Sequence, residues 1–246
     1  MDARIKSAHD NEWVGGAKAD FASARTTDMT SPIVYGARYS TYTRSILLAL
    51  EEKSVPYRLE EIDIFRGGAP AGYLERQPFG RIPAFEHDGF RLYETAAIMR
   101  YVDEAFAGPS LQPPDARGRA RMMQVIGILD SYAYRAMVWD IFVERRDRPD
   151  GRPPDEERIG RGVSMSRTCL RAIAGLMGDA PYLAGPALTL ADLHAAPIVG
   201  YLRLTAEGSQ LITAEPALET WWAAMSQRRS MAATRSPLEP ALLERA

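Results

Sequence analysis

Apolar positions change their period along this chain, and the change divides it in two. Ile33-Val34-Tyr35 is a short β run ended by Gly36. From Thr43 to Lys53, Ile46, Leu47, Ala49 and Leu50 gather on one face at helical spacing. Tyr57 to Ile64 alternates, with Tyr57, Leu59, Ile62 and Ile64 as its apolar members, which predicts a half-buried strand. A loop over Gly67 to Pro70 leads to a short helix at Ala71 to Arg76, before Pro78. Ile82 to Glu86 and Phe90 to Tyr93 then flank His87-Asp88-Gly89, whose Asp-Gly pair signals a hairpin turn. Glu94 to Phe106 is helical. The predicted order is β-α-β-α-β-β-α, a parallel βαβ half joined to an antiparallel hairpin.

Gly108 to Pro114 carries three prolines and cannot continue a helix, so it reads as a linker. Everything after it has helical spacing. Asp115 to about Arg146 is one long helix or two, Arg148 to Pro154 breaks it, and Asp155 to Met177 is the next. Thr189-Leu190-Ala191-Asp192 places an acid three residues after a hydroxyl, a variant of the capping box that opens a further helix. Pro216 to Arg228 makes another. The fold class is therefore an α/β domain over 31–109 followed by an all-helical bundle over 115–246. Residues 1–30 lack a periodic apolar face and an apolar signal core, and are expected to be a disordered tail, with Met29 standing just before the first strand.

Composition narrows the chemistry. Net charge is −2 over 246 residues, too small a field to recruit nucleic acid or an anionic membrane. No apolar run reaches the length of a membrane span. One cysteine, Cys169, forbids internal disulfides and fits a reducing, cytoplasmic setting. His9, His87 and His194 are scattered without metal-ligand spacing, so no metal is expected.

Two segments carry candidate binding chemistry. In Gln77-Pro78-Phe79-Gly80-Arg81-Ile82-Pro83-Ala84-Phe85 the Ile-Pro step imposes extended backbone. With that bond cis, the Ile82 N–H and C=O face outward as a free edge able to pair with an extended peptide. In Leu92-Tyr93-Glu94-Thr95-Ala96-Ala97-Ile98 a carboxylate and a hydroxyl stand at a helix N-terminus, where N–H groups and the dipole gather. Together they suit a small peptide-like ligand with charged ends.

With those motifs and Leu190-Ala191-Asp192, the chain resembles a cytosolic glutathione transferase. Residues 32–107 are similar to that family's thioredoxin-like domain and 115–230 to its helical domain. Tyr35-Gly36-x-x-x-Ser40-x-x-Thr43-Arg44 is most like the serine-type phi and theta members and their bacterial relatives. The resemblance implies that glutathione is the co-substrate, that its cysteinyl backbone pairs with Ile82 beside Pro83, and that Glu94 holds its ammonium while Thr95 holds its carboxylate. It implies Ser40 as the thiol-activating hydroxyl, with Tyr35, Tyr39, Thr41 and Tyr42 as rivals, and a homodimer. One departure stands out. Gly68 and Ala69 fall about where phi-like members carry a His-Lys pair for the glycine carboxylate, leaving Arg66 or Arg81 to replace it.

The reaction expected from the resemblance is conjugation of the glutathione thiolate to an electrophilic, largely apolar molecule. A glutathione-dependent dehalogenase, isomerase or ether-cleaving lyase, or a binding protein without catalysis, would use the same scaffold. Met122, Met123, Tyr132, Met137 and Trp139 serve either as lining for an electrophile pocket or as bundle core. Asp192 is expected to fix its helix, Cys169 to be inert, and Arg145-Arg146-x-Arg148 to be a solvated helix end.

Overall fold

A computed structural model describes residues 31–65, 68–146 and 151–239. The tail expected over 1–30, Met29, Arg66 and Arg148 lie outside the described residues. The first domain runs β1 (Ile33–Gly36), α1 (Thr41–Glu52), β2 (Arg58–Glu61), a 3-10 turn (Tyr73–Glu75), β3 (Ala84–His87), β4 (Phe90–Tyr93) and α2 (Thr95–Ala105). This is the thioredoxin-like βαβαββα order, with the second helix reduced to a single turn. The sheet order is β2-β1-β3-β4, with β1 parallel to β2 and the other pairs antiparallel. Asp88 (φ 49°) and Gly89 (φ 78°) supply the positive φ angles of the hairpin turn.

Several boundaries differ from expectation, each for a local reason. Helix α1 begins at Thr41 rather than Thr43, because Ser40 takes the cap. It is also buried on more than one face. Ile46, Leu47, Leu48, Ala49 and Leu50 are all fully buried, since α1 packs against β1, α2 and a helix of the second domain. Strand β2 stops at Glu61, and Ile62 and Ile64 leave the sheet to pack beside Tyr73, Ile82 and Ala84. Strand β3 starts at Ala84, after a cis Ile82-Pro83 bond.

The second domain comprises α3 (Ala116–Ile128), α4 (Glu156–Met177), α5 (Leu190–Leu202), α6 (Ala206–Thr213), α7 (Pro216–Ser226) and α8 (Arg229–Ala233). Helix α3 continues into two π-wound stretches, Leu129–Ala133 and Arg135–Val143, so the region expected as one or two helices is one rod with altered winding. Side-chain caps start most of these helices. Asp115 accepts from the N–H groups of Arg117 and Gly118, Asp155 from Arg158, and Thr205 from Gly208. Helix α5 is buried at all its positions, as a helix apolar around its whole circumference must be. One apolar core runs through both domains, from Leu47, Phe85 and Ile98 to Met122, Leu129, Leu193 and Ile198. The linker is pinned too. Leu111 is buried, its N–H donates to Asp103 (2.8 Å) and its C=O accepts from Leu190 (2.9 Å).

Candidate functional site

Strand register brings the sequence-predicted residues to one end of the sheet. Tyr35 is opposite Ala84, and Ala84 is opposite Tyr93. Strand β1 ends where β3 begins and β4 ends, so the loop to Ser40, the Ile82-Pro83 step and the Glu94-Thr95 step all emerge together. Helix α1 sits hard against that end: a Cβ on Gly36 would lie 2.4 Å from Thr43 Oγ1.

Ser40 is the N-cap of α1, and its Oγ accepts from the Thr43 N–H at 3.2 Å. That bond uses a lone pair and leaves the hydroxyl proton available to a ligand. The rival hydroxyls sit in other surroundings. Tyr39 donates to Asp63 (3.0 Å), and burial together with that carboxylate pushes its pKa up to about 12. Tyr35 lies under the Arg76 guanidinium, 4.9 Å from its ring. For Tyr42, burial first and then the nearby Asp130 charge push the phenol far above its usual range. Thr41 is 4% exposed.

Ile82 is at the edge of burial, and among the described residues no backbone hydrogen bond engages it. The strand entry beside it is firmly held. The Gln77 carboxamide oxygen accepts from Phe79 N (2.8 Å) and Arg81 N (3.1 Å), and Tyr73 donates to the Arg81 carbonyl (2.8 Å). The Arg81 side chain is exposed, and its charge is felt by Tyr134 of the second domain. Glu94 precedes α2 in a conformation non-glycine residues rarely adopt (φ 69°, ψ 112°) and does not cap the helix with its side chain. Its carboxylate is exposed and the first-turn N–H groups are left uncapped, while Thr95 is buried. Gly68 is exposed in a positive-φ conformation, with open space where a Cβ would stand.

Sequence reasoning missed the wall that the second domain contributes. The Tyr42 ring lies 4.5 Å from that of Tyr134 and 5.5 Å from His194, and His194 Nε2 is 2.8 Å from Asp130 Oδ1. These groups meet across 64 or more residues of chain, and no spacing rule joins them. Beyond Tyr39, Phe65 and Trp139 extend an aromatic row, with centroid separations of 5.7 and 6.2 Å. Of the stripe predicted in the long helix, Met122 and Met137 are core, Trp139 reaches this row, and Met123 and Tyr132 are exposed. Asp192 is fully buried and accepts from Leu183, Thr189 and Trp221, which fixes the start of α5. Cys169 is buried in the bundle, and burial raises its thiol pKa. Arg145 differs from a solvated helix end: Glu156 and Glu207 both hold it. Among the described residues no cluster could hold a metal ion, and no helix is long and apolar enough to cross a membrane.

Comparison with known proteins bears on the same regions. Residues 34–110 match the family described as "Glutathione S-transferase, N-terminal domain", and 162–229 match "Glutathione S-transferase, C-terminal domain". Glutathione S-transferase F6 of Arabidopsis thaliana is 28% identical over 202 residues, which is 80% of this chain and 95% of that protein. A probable glutathione S-transferase, GSTF1, of Oryza sativa subsp. japonica is 26% identical over 219 residues, covering 86% and 99%. The crystal structure of glutathione transferase F7 from Populus trichocarpa superposes with a TM-score of 0.75 at 29% identity, covering 82% of this chain and 97% of that one.

Proposed function

We propose that this chain, a phi-class-like member of the cytosolic glutathione transferase superfamily, conjugates glutathione to electrophiles and that its Ser40 hydroxyl activates the thiol. The observation that carries this is the Ser40 cap, whose oxygen accepts from Thr43 and whose proton is free, at the positive end of α1. A free thiol near pKa 8.5 is only a few per cent ionised at neutral pH. Lowering it by two units takes about 2.7 kcal/mol of preference for the thiolate. One hydrogen bond to a charged sulfur and the helix dipole together reach that scale.

In the proposed complex the cysteinyl backbone pairs with Ile82 beside Pro83. Glu94 takes the γ-glutamyl ammonium, and the α-carboxylate rests on Thr95 and the uncapped N–H groups of α2. Arg81 stands in for the missing pair at Gly68 and Ala69. The electrophile lies on the aromatic row of Tyr39, Phe65 and Trp139; Phe65 is 64% exposed, an apolar ring open to a ligand. A homodimer in the cytoplasm completes the proposal. Phe79 is 66% exposed with its ring set edge-on to Tyr93, an exposed apolar pair suited to a second copy.

The direct test is retention on immobilised glutathione with elution by free glutathione, followed by Ser40→Ala. That variant is expected to keep its melting temperature and its retention while losing roughly 10- to 100-fold in turnover of a chloronitroaromatic substrate. Unchanged turnover would remove Ser40 from the mechanism. Failure of the wild type to bind the column would remove glutathione itself.

A further inference from the structure

Tyr201 belongs to α5 of the helical domain, yet its hydroxyl reaches the backbone of the first domain. The residue is 3% exposed and its ring stacks on Phe142, with centroids 4.4 Å apart at 20°. Its oxygen lies 2.6 Å from the Tyr39 carbonyl oxygen and 2.6 Å from Ser236 Oγ. A phenol has one proton, and the Tyr39 carbonyl can only accept, so the proton points there. Ser236 therefore donates to Tyr201. Ser236 Oγ in turn accepts from the Leu238 N–H (3.1 Å), which leaves its own proton for this purpose. The donors line up in one direction, from the C-terminal segment to the first domain.

The carbonyl at the end of that line belongs to the peptide that leads into Ser40. The other polar end of the same peptide, the Ser40 N–H, donates to Ala37 O at 2.9 Å. With both ends held, the peptide plane cannot rock, and the direction of the Ser40 Cα–Cβ bond is set. Only the side-chain torsion remains, and the bond from Thr43 selects it. We propose that Tyr201 is a positioning residue for the thiol-activating hydroxyl, acting through the Tyr39 carbonyl to aim Ser40. This rests on Ser40 being the donor to the thiol.

The test uses the full chain and four forms of it: Tyr201→Phe, Ser236→Ala, Ser40→Ala and the Tyr201→Phe/Ser40→Ala double variant. Turnover, glutathione KM, melting temperature and the pKa of the bound thiol, read from thiolate absorbance, are measured for each. Tyr201→Phe keeps the stacked ring, and it is expected to lose roughly 3- to 10-fold in kcat, the scale of one hydrogen bond. The bound thiol pKa should rise by roughly half a unit to one unit, with KM unchanged. In the Ser40→Ala background Tyr201→Phe should cost nothing further. Ser236→Ala should preserve kcat, because Tyr39 remains the acceptor for Tyr201.

An unaltered kcat and thiol pKa in Tyr201→Phe, beside an impaired Ser40→Ala, would overturn the inference alone. So would a full additional loss in the double variant, damage from Ser236→Ala equal to that from Tyr201→Phe, or unfolding of Tyr201→Phe, since each makes Tyr201 a packing residue. An active Ser40→Ala would overturn the assignment of Ser40 and this inference with it.

Discussion

A single hydroxyl at residue 40 can serve two masters because a hydroxyl has both lone pairs and a proton. Capping α1 and donating to a thiolate use different parts of it, so the observed cap leaves room for the proposed role. The neighbouring Tyr39 lacks that freedom, since its proton is given to Asp63, and burial beside the Asp130 charge keeps Tyr42 firmly protonated. At the other end of the ligand, Gly68 and Ala69 offer no charge for a glycine carboxylate. Arg81 is exposed, so whatever it adds there is screened by water. A ligand lacking the terminal glycine, γ-glutamylcysteine, is therefore expected to bind within about tenfold of glutathione, a difference below about 1.4 kcal/mol. Calorimetric titration of both ligands checks this, and a larger gap would assign Arg81 a strong clamp. Ser40, Pro83 and Glu94 were legible because each marks a local backbone event: a helix start or a proline step. His194, Asp130 and Tyr201 were not, since their partners come from distant elements and their own helical context looks like ordinary core.

Helices and strands show the same division between local signals and covering. Period-2 and period-3.6 patterns located every strand of the sheet and the long helices. They misjudged β2, whose Ile62 and Ile64 alternate correctly but pack in a satellite cluster instead of the sheet. They underestimated α1, whose polar-looking positions, such as Arg44 and Ser45, are buried beneath the second domain. Helix α6 was missed because Ala206–Thr213 is only 8 residues long, too short to display a period. Its seat is nevertheless exacting. A Cβ on Gly208 would lie 1.9 Å from the Leu202 carbonyl oxygen, a backbone atom that cannot rotate away. Gly208→Ala is expected to destabilise by about 2–3 kcal/mol or more, as overpacking does. Thermal unfolding should show a clear drop in Tm, while Gly175→Ala, with open space at its Cβ, should not.

Across the whole molecule, α1 is the element both domains share, and charged groups tie its far end to the C-terminal helices. Glu52 accepts from Arg228 and Ser230. Burial alone would raise its pKa, but the bonds from Arg228 and Ser230 outweigh burial and hold it below the ordinary value. A depressed carboxylate contributes stability that is full above its unfolded pKa, about 4.3 for Glu, and is lost as pH falls through the folded value. The Tm advantage of wild type over Glu52→Gln should thus be full at pH 7, begin to shrink below about pH 4.3, and be lost once the pH has passed the depressed folded value. An advantage that persisted in acid would mean the contact is not ionic. Arg44, also on α1, forms a buried pair with Glu239 and donates to the Met231 carbonyl. Glu239→Ala would strand that guanidinium, at a cost of about 3–5 kcal/mol, visible as a lower denaturation midpoint. The same pair has a meaning for synthesis. Arg44 and Glu239 are separated by 195 residues, so the ribosome makes the first domain long before the carboxylate that neutralises its shared helix. Until Glu239 has been made, the nascent first domain carries a bare cation on its shared helix. Ribosome-bound chains ending before Glu239 should be cut readily by protease within 31–109, and released full-length chains should resist.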